Sequence, residues 1–180
     1  MSGEYLTEEF ILKRNRDIEK VRERYGFSRV YCLDLPPGQL GETPRGLLVE
    51  EIAETVKSFN PETVYLPFEG DVHSDHRVVF EACQSALKTF RAPGVRRILC
   101  YETLSETDQA LHTLFAANVF EDISEYLLEK YEVMKIYVSE MGDFPFPRSE
   151  KAIEALAHLR GSQAGFTAAE AFMLMRERVL

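Results

Sequence analysis

Two of the chain's four histidines sit in one hexapeptide, Asp71-Val72-His73-Ser74-Asp75-His76, with two carboxylates beside them. Imidazole changes charge near neutral pH, and in its neutral form it is a common zinc ligand. His73 and His76 are three residues apart. With His76 on a first helical turn and His73 just before it, both point at one site. Catalytic zinc takes about three protein ligands and keeps one position open. Asp75 is placed to hold an imidazole by hydrogen bonding and set its tautomer. An imidazole off the metal serves as general acid or steadies an oxyanion. Asp71 orders the loop or adds a ligand. The same residues also fit a solvated surface cluster in which Asp75 caps the following helix.

The flanking pattern decides where this loop sits. Residues 63–67 read as a strand, and Val78, Val79, Ala82, Cys83, Ala86, Leu87 and Phe90 recur at helical spacing until Pro93-Gly94. In open α/β sheets, the junction from strand to helix is where ligands bind. Upstream, Thr7 caps a helix to Tyr25 carrying Ile11, Ile18 and Val21, and Gly26 ends it. Residues 29–34 read as a buried strand, and Pro36-Pro37-Gly38 forces a loop. A second helix starts at Thr43-Pro44 and ends at Asn60-Pro61. Downstream come a strand at 96–102, a long loop at 103–117, and a short strand at 118–122. A helix follows from Ser124 to about Tyr137, then an extended stretch at 141–148 and a helix from Ser149 to Arg160 with Gly161 behind it. Thr167-Ala168-Ala169-Glu170 matches a capping box opening a last helix. Strands alternating with amphipathic helices predict one α/β domain over residues 1–180, with a mostly parallel sheet. The chain opens on a helix that would normally cross over from an earlier strand.

Composition narrows the rest. With 180 residues and 45% hydrophobic content, the chain can bury a real core. Acidic residues outnumber basic ones, 30 to 21, and no basic block runs through it, which argues against a nucleic-acid partner. The three cysteines Cys32, Cys83 and Cys100 all lie in apolar patterns, so buried free thiols in a reducing compartment are expected. No apolar run reaches membrane-spanning length and no signal-peptide core is present, so a soluble, cytoplasmic protein is expected.

Several pieces fall in one register. They are Arg14-Asn15-Arg16-Asp17 ahead of Tyr25-Gly26-Phe27, Leu33-Asp34-Leu35-Pro36, and Pro61 to Pro67 leading into Asp71-x-His73-x-Asp75-His76. Tyr101-Glu102-Thr103, Asn118 to Ile123, Lys130, Tyr137 to Glu140, Arg160-Gly161 and Ala169 to Phe172 follow. Together they resemble the LmbE-like, or PIG-L, family of zinc-dependent N-deacetylases. The resemblance implies a Rossmann-like three-layer α/β sandwich with its site at the carboxyl ends of the strands. It implies Zn2+ as cofactor and an N-acetylglucosamine-containing sugar or glycoconjugate as substrate. It makes His76 a zinc ligand and His73 the general acid or oxyanion stabiliser, with Asp75 tuning it. Arg14 and Asp71 become substrate contacts.

One part of the family pattern is not in this chain. Members begin with a strand ending in His-Pro-Asp-Asp-Glu, which supplies two zinc ligands and the base. The remaining histidines, His112 and His158, are not followed by those acids. Relative to the family, the first strand is therefore expected to be missing and the metal site incomplete. Exposed apolar surface from the lost strand predicts aggregation or homo-oligomerisation. The alternative function is a metal-site-deficient member acting as a sugar-binding or interaction subunit. A metal phosphoesterase on the same loop would need more carboxylates than can be placed.

Overall fold

Helices start where a side chain accepts the first free backbone amides. In the computed structural model, which describes residues 7–179, Thr7 does this by accepting from the Phe10 amide. The expected polar start at residues 1–6 lies outside the described residues. The elements in order are α1 (Glu8–Tyr25), α2 (Arg45–Phe59), β1 (Thr63–Pro67), α3 (Ser74–Ala86), β2 (Arg97–Tyr101), β3 (Val119–Asp122), α4 (Leu127–Met134), α5 (Glu150–Ala164) and β4 (Ala169–Glu177). Short 3-10 turns occupy Leu40–Glu42 and Lys135–Glu140. Among the described residues, no helix is long and apolar enough to cross a membrane.

The chain falls into two compact units, each built from two stretches of sequence. The first holds residues up to Pro37 and Asp122–Ala169. Here Tyr131, Val133, Ile153 and Ala157 are buried, and Arg24 donates to Glu129 at 2.9 Å. Gly26 closes α1 in the left-handed conformation, as expected from its position after Tyr25. Helix α5 runs past Gly161 to Ala164 and ends at Gly165, whose φ is 81°. Gly161 lies inside the helix because the Phe166 carbonyl and the Ala168 backbone pass too close for a Cβ.

The expected strand at 29–34 does not form. Val30, Tyr31 and Leu33 are 41%, 43% and 38% exposed, and Cys32 is exposed too. An extended segment becomes a strand only through a backbone ladder, and none reaches these residues among those described. Cys32 is thus a correction to the expectation of three buried thiols; Cys83 and Cys100 are buried.

The second unit, Gly38–Glu121 with Glu170 onward, carries the sheet in the order β1-β2-β4-β3. β1 and β2 run parallel, pairing Val64 with Ile98 and Leu66 with Cys100. β4 runs antiparallel to β2, with an irregularity between Ile98 and Leu99. The α/β class holds, and the mostly parallel sheet is corrected to a mixed one. The cause is β4 itself, where a capping box and a helix were expected. Ala, Glu and Met are good helix formers, but each contributes only about a few tenths of a kcal/mol over an average residue. Between two strands the same residues gain ladder hydrogen bonds and bury Ala169 and Ala171, so tertiary pairing overrides propensity. Arg176 ties β4 to the end of α3 by donating to the Leu87 carbonyl at 2.7 Å.

Phe80 and Cys83 of α3 and its C-cap residue Leu87 are buried against Leu66, Phe68, Val95, Ile98 and Cys100. Each such large side chain contributes about 1.5–3 kcal/mol when fully buried. That packing fixes the helix on the sheet and sets the direction in which its first turn points.

Candidate active site

The histidine loop joins β1 to α3 and belongs wholly to the second unit. The helix begins at Ser74 because His73 caps it: His73 Nδ1 accepts the Asp75 amide at 3.1 Å. The cap was expected from Asp75, whose carboxylate is used elsewhere. It accepts from the Gly38 amide at 2.6 Å and the Leu40 amide at 3.2 Å. Asp75 thereby pins the turn after Pro36-Pro37 to the start of α3, and its negative charge also suits the helix's first turn.

The imidazole hydrogen bond expected from Asp75 is made by Asp71. Asp71 is 0% exposed, and its two oxygens have separate partners. Thr107 Oγ1 donates to Oδ1 at 2.6 Å, and His76 Nδ1 lies 2.7 Å from Oδ2. Thr107 Oγ1 in turn accepts the Thr103 amide at 2.8 Å, so its single hydrogen is free for Asp71. A carboxylate held this way accepts on both oxygens, which assigns the Nδ1 proton to His76. The expected substrate contact of Asp71 meets a buried side chain whose hydrogen bonds are made within the protein.

The two imidazoles stack, with centroids 5.0 Å apart and planes 25° from parallel. Their backbone and carboxylate partners set opposite tautomers in the neutral forms. His76 carries its proton on Nδ1 and keeps a lone pair on Nε2. His73, whose Nδ1 accepts an amide, carries its proton on Nε2. One ring offers an electron pair and its neighbour offers a hydrogen-bond donor.

Nearby groups add to the electrostatics. Burial, with Asp71 as the largest charged contributor, raises the Tyr101 phenol above its ordinary value. Burial pushes the Cys83 thiol to about 11. Burial, then Glu69 and Asp71, push the Cys100 thiol to about 12. Neither buried thiol is a nucleophile at neutral pH.

Arg14 belongs to the first unit, where its guanidinium lies 5.3 Å from the centre of the Tyr137 ring. Asp71, His73, Asp75 and His76 are brought together in the second unit. Sequence reasoning missed Thr107, which sits in a hydrogen-bonded turn of the 103–117 loop with no spacing signal to mark it. His76 Nε2 suits one coordination position, yet no group of three His, Cys, Asp or Glu among the described residues could hold a metal. The described residues by themselves do not fit a resident catalytic zinc.

Residues 2–87 match the family model described as PIG-L, GlcNAc-PI de-N-acetylase. That match takes in α1, the 29–40 segment, β1 and the histidine loop, and stops short of the motifs from Tyr101 onward. A conserved protein from Thermus thermophilus superposes with a TM-score of 0.76 at 21% identity, over 99% of this chain and 78% of that one. The N,N'-diacetylchitobiose deacetylase from Pyrococcus horikoshii, in complex with an inhibitor, gives 0.74 at 18% identity, over 98% and 68%. The 4-carboxy-2-hydroxymuconate hydratase from Pseudomonas putida gives 0.68 at 16%, over 99% and 77%. At these identities the three likenesses show the fold, and one fold hosts more than one chemistry.

Proposed function

We propose, from the premise that residues 2–87 carry the sequence of the PIG-L family, that this chain is a de-N-acetylase acting on an N-acetylglucosamine-containing substrate. Water adds to the acetamide carbonyl, the C–N bond breaks, and acetate and an amine leave. The observation that carries this reading is the complementary pair of imidazoles in the histidine loop. His73 Nε2–H is a donor for the carbonyl oxygen as negative charge builds on it, and for the departing nitrogen. Asp71 keeps His76 in one tautomer and orientation, with the Nε2 lone pair left as an acceptor. Asp75 acts by holding the Gly38–Leu40 turn against α3.

A second reading is a sugar-binding member without turnover. It is favoured by the lack of a three-residue metal group among the described residues. One experiment separates the two. Acetate release from N,N'-diacetylchitobiose and from an N-acetylglucosaminide is measured with added zinc, alongside sugar binding by calorimetry. Release that falls roughly 100-fold or more in His73→Asn supports the deacetylase, the size expected for losing one oxyanion donor. Binding with no release by the unaltered chain supports the second reading. Neither release nor binding overturns both.

A further inference from the structure

The loop between β2 and β3 meets the histidine loop at three places. Thr107 donates to Asp71 at 2.6 Å. A Cβ on Gly70 would lie 2.8 Å from Thr113 Cβ, so the absence of a side chain there admits the loop. Phe115 sets its ring edge-on to Phe68, with centroids 5.2 Å apart. Thr107 is itself held by a tight turn. Its amide donates to the Thr103 carbonyl at 2.8 Å, and Ser105 within the turn has φ 73°. The Thr103 amide occupies a lone pair of Thr107 Oγ1 at 2.8 Å, which directs the hydroxyl hydrogen at Asp71.

We propose that Thr107 is a positioning residue for His76, acting through Asp71. The relay runs from the Thr103 amide to Thr107 Oγ1, to Asp71 Oδ1, and from Asp71 Oδ2 to His76 Nδ1. The physical need is rotational. The torsion about an aspartate's Cβ–Cγ bond is soft, so a buried carboxylate held at one oxygen swings away from an ideal line to its other partner. Thr107 supplies the second anchor. With it, Asp71 holds one imidazole tautomer. Without it, Oδ1 is left buried and unpaired, and Asp71 turns to recover a donor. The loop between β2 and β3 thereby sets the chemistry of a residue on α3. This inference rests on the reading of His76 as a working imidazole in the deacetylase site.

The test reads the tautomer directly and so does not depend on activity. Long-range proton–nitrogen NMR correlations of the His76 ring are recorded at neutral pH for the unaltered protein and for Thr107→Val and Thr107→Ser. The expected result is one Nδ1–H tautomer in the unaltered and serine proteins, and loss of that single-tautomer pattern in the valine variant. If the valine variant does not fold, Thr107→Ala takes its place under the same criterion. An unchanged His76 pattern in the hydroxyl-free variant overturns the proposal. So does a His76 that is not the Nδ1–H tautomer in the unaltered protein, or a serine variant that loses as much as valine. Where acetate release is measurable, the hydroxyl-free variant is expected to lose roughly 10- to 100-fold in kcat with KM held, and serine to restore it. Absence of release by the unaltered chain sinks the deacetylase reading, while the NMR result still decides the role of Thr107.

Discussion

Replacing Asp75 separates two ways in which a carboxylate in this loop can matter. Its oxygens accept the Gly38 amide at 2.6 Å and the Leu40 amide at 3.2 Å. A hydrogen bond to a charged group contributes about 1.5–3 kcal/mol, so the pair has an upper figure of about 3–6 kcal/mol. Two features reduce it. Gly38 is exposed, so water can replace its partner, and the Leu40 contact is long. Asp75→Ala is therefore expected to cost about 2–3 kcal/mol. At roughly 2–4 °C per kcal/mol for a chain of this size, the melting temperature falls by about 4–12 °C. Asp75→Asn keeps one acceptor oxygen and loses the charge, and should cost about half as much. Thermal unfolding gives the size of the effect, and amide hydrogen exchange gives its location: Gly38 and Leu40 lose protection while the amides of β2 keep theirs. If Asp75 acted on an imidazole, the alanine variant would lose turnover and leave those two amides protected. Unchanged protection at Gly38 and Leu40 refutes the reasoning.

Two other perturbations are decided by competing magnitudes. Cys32 is exposed, whereas burial lifts Cys83 to about 11 and Cys100 to about 12. At pH 8 only roughly one in a thousand and one in ten thousand of the buried thiols would be ionised, so an alkylating reagent should modify Cys32 alone until denaturant is added; comparable native labelling of all three by mass spectrometry contradicts the burial. In Gly161→Ala, helix propensity favours alanine by about 1 kcal/mol. Its Cβ would lie 2.7 Å from the Phe166 carbonyl and 2.9 Å from the Ala168 backbone, atoms that cannot rotate aside. Overpacking of that kind costs about 1–3 kcal/mol, so the net effect is destabilising by up to about 2 kcal/mol, and a raised melting temperature would show that propensity wins.

Local signals in the sequence were enough for some elements. Thr7, Gly26 and Ser149 mark helix ends through groups within a few residues of the amides they serve, and such signals need no knowledge of the fold. The position of the histidine loop was legible for the same reason: a short strand and a helical apolar pattern bracket it, and its histidines and carboxylates lie within six adjacent residues. The α/β class followed from alternating periods. What the sequence could not determine depends on partners distant in the chain. Residues 29–34 have a strand's composition but no ladder among the described residues, so they remain irregular and exposed. Residues 169–177 have helix formers and a capping-box pattern, yet lie beside β2, where pairing outweighs weak propensities. The carboxylates show the same division. Asp71 and Asp75 are both two residues from His73 and look alike in sequence. Only the tertiary structure decides that Asp75 reaches back to Gly38 and Leu40 while Asp71 reaches His76, because each choice is made by donors about 35 residues away. Chemistry-bearing residue types were set by the sequence; their roles were set by which donors the fold carried to them.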